Sequence, residues 1–238
     1  DPATHERIAM GYDGFNPGVM DPVARLDEQI TDGIVGEVMY PSLSMFTFAI
    51  PDAEVRDAAF QQHNDWVLDY CSVDRNRLIG VGCLPLPDVD RAIAEMDRSA
   101  SRGVKGFAIP AHVDPALPYN DPAFDPFWAR AQEHGVPLTM HIFTGQTLDG
   151  GLPAHWGTPG GNLKGYTLAH TTAVNTMIDI ICGGVVERFP QLKFVISEYE
   201  TGWVAHTLQR LDHAAYRTPW ELADGLTMKP SEYFDRNF

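Results

Sequence analysis

The sequence predicts an α/β domain built on a parallel sheet with helices laid over it, of the (β/α)8-barrel type. Short, continuously apolar runs alternate with segments of helical periodicity, which is the pattern of strands buried on both faces. One such run, Val136-Pro137-Leu138-Thr139-Met140-His141-Ile142, follows a helix-stop signal in His134-Gly135 and ends on a histidine. In a parallel barrel a histidine at the C-terminal end of a strand stands on the face where chemistry is done.

The elements follow in order. Residues 1–25 are rich in Gly, Asp and Pro and are expected to be loop. The first strand is expected over 33–40, stopped by Pro41. Asp52 is a plausible N-cap for a helix to about Cys71, with Val55, Ala59, Trp66 and Tyr70 at helical spacing and Trp66 in the core. The second strand is expected over 78–84, ending at Pro85. A helix from about Asp88 carries Ala92, Ile93, Met96 and Ala100 on one face and stops at Gly103. The third strand covers 104–109, with His112 three residues beyond its end. A helix over 122–134 turns Phe124, Phe127, Trp128 and Ala131 inward, and the strand bearing His141 follows.

Residues 144–164 are rich in Gly and Pro and predict a long irregular loop at the strand mouth, a lid or pocket wall that is mobile. A helical region over 168–188, interrupted at Gly183-Gly184, leads to a fifth strand over 192–197 that ends on Glu198. Gly202-Trp203 opens a helix through Leu208 and Leu211, and a helix-like stretch precedes Phe238. Five strand–helix units are legible where a closed barrel has eight; the first and last strands are not. The whole of 1–238 reads as one domain.

Composition limits the function. Apolar residues make up 44% and charged residues 21%, as in ordinary globular domains, and 17 basic against 32 acidic residues give a formal charge of −15. That charge repels phosphate backbones and anionic lipid, so neither nucleic acid nor membrane is expected as a partner. Cys71, Cys83 and Cys182 are widely spaced and lie in apolar surroundings, which points to reduced, buried thiols rather than a disulfide framework. With no basic segment leading into an apolar one near Asp1, the expectation is a cytoplasmic protein without a signal peptide. Nucleophile-elbow, phosphate-loop and dinucleotide fingerprints are absent from the sequence; Gly80-Val81-Gly82 lies inside a strand, the wrong context for the last.

Several segments together carry a likeness. Asn64-Asp65-Trp66, Asp74-Arg75-Asn76-Arg77-Leu78-Ile79-Gly80, Leu84-Pro85-Leu86-Pro87, Gly103-Val104-Lys105-Gly106, Asp121-Pro122-Ala123-Phe124-Asp125-Pro126, the run to His141 and Arg188-Phe189-Pro190-Gln191-Leu192-Lys193 occur in an order and spacing that resembles the amidohydrolase-related family, typified by aminocarboxymuconate-semialdehyde decarboxylase. The resemblance spans about residues 30–215. It implies a metal-dependent barrel enzyme, a non-oxidative decarboxylase or a hydrolase, acting on a small carboxylated or carbonyl-containing molecule. It also implies a divalent cofactor (zinc first, manganese second) and a homo-oligomer, a dimer.

In that family a His-x-His-like pair sits on the first strand, a histidine on the fifth, often another on the sixth, and an aspartate on the eighth. His141 matches the fifth-strand histidine, and Glu198 stands at the sixth-strand position within Glu198-Tyr199-Glu200-Thr201-Gly202-Trp203. The first-strand pair and the late aspartate have no counterpart here. The resemblance thus makes His141 and Glu198 the candidate metal ligands and catalytic residues. Glu198 has two further readings, as a general base and as an ion-pair partner for Arg210. His112, His155 and Trp156 are the candidate substrate contacts; His170 is a pocket-lining residue rather than a ligand. His63, His134, His206 and His213 are expected on helix surfaces or at caps, and Trp128 in the core. The alternative is a binding protein, or a degenerate enzyme, that kept the barrel and lost the metal.

Overall fold

A computed structural model describes residues 6, 9–142, 144–145 and 159–238. Its strands are all parallel. β1 (Glu37–Met39) pairs with β2 (Leu78–Gly80), and β3 (Gly82–Cys83) begins a second ladder in the order β3-β4-β5-β6. The latter strands are β4 (Phe107–Ile109), β5 (Leu138–His141) and β6 (Phe194–Ser197). The expected single strand over 78–84 is therefore two, joined at Val81. Its first half bonds backward to β1 and its second half forward to β4, with Val81 N donating to Met39 O (3.0 Å) and Gly82 N to Gly106 O (3.0 Å). The two ladders thus make one curved succession with a stagger at Val81, as a barrel wall requires.

Helices fill the connections. α1 (Pro22–Asp32) precedes β1, α2 (Ala53–Tyr70) leads into β2, and α3 (Val89–Ser101) joins β3 to β4. α4 (Asp125–His134) precedes β5. α5 (Gly161–Leu168), α6 (His170–Cys182) and α7 (Val185–Arg188) lie between β5 and β6, and α8 (Gly202–Arg217) and α9 (Pro230–Asn237) follow. α1 corrects the expectation of loop through residue 25: Asp21 caps Val23 N (2.9 Å), Pro22 opens the helix, and Gly33 closes it in the left-handed region. Asp52 caps Glu54 N and Val55 N as the sequence indicates, and Gly135 ends α4 at φ 62°.

The core lies between the sheet and α3, α4 and α6. Trp128 is its centre, met edge-on by Tyr119 (5.3 Å), Phe127 (4.9 Å) and Phe194 (5.9 Å). Phe127, Trp128 and Ala131 on α4, and Phe124 in the turn that leads into it, are all fully buried, and each buried phenylalanine contributes about 1.5–3 kcal/mol.

α2 departs from expectation in its inward face. Val55 and Trp66 are exposed, and Phe60, Asn64 and Val67 are buried instead. Asn64 is inside because it completes the sheet: its Nδ2 donates to Cys83 O (2.9 Å) and its Oδ1 accepts from Cys83 N (2.7 Å). Buried Glu95 accepts from the same Asn64 amide (2.6 Å), from Ser99 Oγ (2.8 Å) and from Arg98 Nε (2.7 Å), leaving the carboxylate well paired. Gly80 and Gly82 let α2 come this close. A Cβ on Gly80 would lie 2.6 Å from Val67 Cγ2, and one on Gly82 3.0 Å from Asn64 Oδ1.

Candidate active site at the C-terminal ends of β5 and β6

β5 and β6 are paired in register, His141 opposite Ser197, so the residues that end them stand side by side on one face of the sheet. His141 is buried, and its Nδ1 lies 3.0 Å from Ile142 O. A carbonyl only accepts, so Nδ1 carries a proton, and Nε2 offers a lone pair whenever the ring carries that proton alone. Nε2 is 3.1 Å from Glu198 Oε2. Two lone-pair atoms at that distance repel unless a proton or a cation lies between them.

The chain turns sharply at this point. Glu198 and Glu200 both adopt left-handed backbone, at φ 64° and 59°, a conformation that costs about 1–2 kcal/mol for a residue with a Cβ. The turn swings the Glu198 side chain back over β5 while leaving it two-thirds exposed, at 67%. Tyr199, by contrast, is buried and donates from its hydroxyl to His141 O (3.3 Å); burial pushes that phenol well above its usual range, so it stays protonated.

Three further residues, Tyr40, Ser197 and Thr139, join the site without having been expected. The Tyr40 ring, just past β1, stands 5.1 Å from the His141 ring, and its hydroxyl oxygen accepts from Ser197 Oγ (2.8 Å). Ser197 Oγ is also 3.0 Å from Thr139 Oγ1, which closes a hydroxyl chain beneath the histidine. Tyr40 obeys the same rule that marked His141, being a polar residue at a strand's C-terminal end.

Other expected residues are placed as follows. His112 is exposed and sits beyond β4, where its backbone forms a parallel bridge to Gly145; it is held from the Thr144 side, with His112 N donating to Thr144 O (3.2 Å). It lines a cavity between the ends of β3 and β4 instead of touching His141. His155, Trp156 and most of the 144–164 loop lie outside the described residues. His170 stacks on Trp203 at 6.4 Å. His134 pairs with Asp97 (2.7 Å), and His206 and His213 are exposed, as expected of helix surfaces. His63 is not a surface residue: Nε2 meets Val81 O at 3.2 Å and burial lowers its pKa.

A divalent cation fits the chemistry of the His141–Glu198 pair, because a histidine whose other nitrogen donates to a carbonyl is the usual ligand tautomer. Its ligand count is short. Among the described residues no three His, Cys, Asp or Glu side chains gather, whereas catalytic zinc sites take three protein ligands.

Comparison with known proteins places the chain in a family. The chain is 27% identical over 199 residues to the gamma-resorcylate decarboxylase of Rhodococcus jostii (strain RHA1), covering 80% of this chain and 59% of that protein. Among solved structures, an amidohydrolase from Mycobacterium avium subsp. paratuberculosis K-10 superposes with a TM-score of 0.75 at 27% identity, over 93% of this chain and 58% of that one. A dihydroxybenzoic acid decarboxylase from Polaromonas sp. JS666, which holds manganese, superposes at 0.66 with 20% identity, over 90% and 65%. The chain therefore spans about three fifths of the length of the curated relatives it matches. A family model described as Amidohydrolase matches residues 27–236, and the chain belongs to that amidohydrolase family.

Proposed function

We propose that the chain provides the His141–Glu198 side of a divalent-metal-dependent carboxy-lyase acting on a small carboxylated aromatic or carbonyl-containing molecule. The observation that carries this reading is the 3.1 Å approach of His141 Nε2 to Glu198 Oε2 at the ends of neighbouring parallel strands. His141 and Glu198 are the residues that would hold the metal. When bound, a divalent ion supplies a positive centre that polarises the substrate and stabilises charge as carbon dioxide leaves, or activates water in a hydrolase.

The chain's own residues act around that centre. Ile142 O fixes the His141 tautomer, and the Tyr40 ring packs against the imidazole and limits its rotation. Glu198, mostly exposed, carries a proton between solvent and the substrate atom that needs it. Zinc suits a nitrogen-plus-carboxylate donor pair and is the proposed metal. Manganese, which the Polaromonas enzyme holds, is the alternative because carboxylate-rich sites favour it. A homodimer in the cytoplasm is the proposed state. Among the described residues no helix is long and apolar enough to cross a membrane.

The test incubates the chain with 2,6-dihydroxybenzoate and either Zn²⁺ or Mn²⁺, and follows released carbon dioxide alongside incorporation of labelled water. Carbon dioxide release that is lost in His141→Ala together with metal binding supports the lyase. Labelled water in a product favours the hydrolase version. The shortfall in ligands among the described residues favours a second reading, a family member that binds a small molecule without a catalytic metal. Ligand binding that persists in chelator with no turnover would establish that reading instead.

A further inference from the structure

Away from the His141–Glu198 pair, a cavity of about 130 Å³ opens between the ends of β3 and β4. Its walls are mostly apolar, with Phe48, Leu86, Val113 and Leu117 among them, and among the described residues it holds one guanidinium, that of Arg56 from the start of α2. Arg56 is under-used. Its Nη1 donates to Ile50 O over a long 3.4 Å, and its buried Nε has no hydrogen-bond partner among the described residues. Arginine presents donors in a fixed fork, so a buried, unmatched Nε is costly and a carboxylate, which can take two bonds, is the acceptor that suits the guanidinium.

The neighbouring carboxylates do not meet that need. Asp57 Oδ2 is held by Arg91 at 2.5 Å and its buried Oδ1 makes no hydrogen bond to Arg56, while Asp114, on the cavity wall, accepts from Ala116 N (2.9 Å). His112 lines the cavity as well and offers a second donor. A cation set in an apolar pocket, within a chain of formal charge −15, selects for a small apolar anion and against a free phosphate, whose heavier hydration the apolar walls do not replace.

We infer that this cavity is a subsite for a small apolar carboxylate, whose carboxyl group pairs with the Arg56 guanidinium and whose body packs on Phe48, Leu86 and Leu117. The subsite is independent of the metal reading, since neither His141 nor Glu198 lines it.

The test is calorimetric titration of the whole chain with benzoate in the presence of EDTA, with benzamide as the uncharged counterpart. One benzoate per chain is expected, with benzamide at least about tenfold weaker. Arg56→Met should weaken benzoate by about tenfold or more. Leu117→Trp, which fills the cavity and leaves the arginine in place, should abolish binding and decides the matter if Arg56→Met fails to fold. His141→Ala should bind benzoate as the unaltered chain does. Absent binding, equal binding of benzamide, unchanged binding in Leu117→Trp, or loss of binding in EDTA or His141→Ala would each overturn the assignment. The last two would place the acid at the metal pair. None of these outcomes depends on turnover, so failure of the carboxy-lyase reading leaves this test intact.

Discussion

At residue scale, the backbone of Glu198 sets chemistry against stability. A non-glycine residue at φ 64° is held there by its surroundings, and such strain gathers where a side chain has to be aimed. Here it is aimed at His141 Nε2, 3.1 Å away. Asparagine tolerates the left-handed region better than glutamate. Glu198→Asn is therefore expected to raise stability in urea denaturation by up to about 1 kcal/mol, while weakening Zn²⁺ or Mn²⁺ binding measured by titration. Glu198→Gln keeps the strain and loses the charge, so it should weaken metal binding with no gain in stability. A Glu198→Asn chain that is no more stable than Glu198→Gln would show that the turn is relaxed by other contacts.

At the scale of elements, the packing of α2 on the sheet has a titratable contact in it. His63 on α2 meets Val81 O at the join of β2 and β3, and desolvation lowers its pKa below the ordinary histidine value. A histidine depressed in the folded state binds its proton more readily when unfolded. Its contribution is thus fully present above the unfolded pKa, about 6.5, and is lost as pH falls from there toward the folded value. The melting temperature is expected to drop between pH 7.5 and 5.5, and His63→Gln, which keeps a donor for Val81 O, should flatten that drop. Parallel pH profiles for the two chains would remove His63 from the account.

The same helix shows what could and could not be read from the sequence. α4 was legible because Phe124, Phe127, Trp128 and Ala131 are apolar and all point one way. α2 was legible as a helix, through its Asp52 cap, but not in its facing. Its innermost residue is Asn64, whose amide substitutes for a strand partner at Cys83, and Trp66 lies outside. Polarity predicts burial poorly wherever a side chain serves the backbone of another element. α1 was missed although its cap, Pro22 and Gly33 stand in the sequence, because Pro22–Asp32 is mostly polar and its inward residue is Gln29. In the proposed site, His141 and Glu198 stand at strand ends, and the resemblance to the family is what singles them out as candidates. Tyr40 also stands at a strand's C-terminal end, but its contact with His141 spans about a hundred residues of chain, and Arg56 is a helix residue near a loop, so neither contact leaves a local signature.

At the scale of the whole molecule, ligand count governs metal occupancy. His141 and Glu198 bring two donors, and no third His, Cys, Asp or Glu joins them among the described residues. Two donors on separate strands hold a cation less firmly than the three of a catalytic zinc site. Elemental analysis after dialysis against chelator-free buffer should find less than one equivalent per chain, and any carbon dioxide release should rise with added metal. A full equivalent retained through dialysis would show that a further side chain completes the site.

The stagger at Val81 bears on which length changes the gene can accept. Gly80 and Gly82 both face α2 and flank a residue that bonds to a different neighbour on each side. Removing one codon here would turn every later side chain of the run to the opposite face, bring a Cβ toward Val67 or Asn64, and mismatch two ladders at once. The exposed Asp224–Gly225 turn between α8 and α9 carries no ladder and can lengthen freely. Insertions and deletions among relatives should accordingly crowd into turns like that one and spare 78–83.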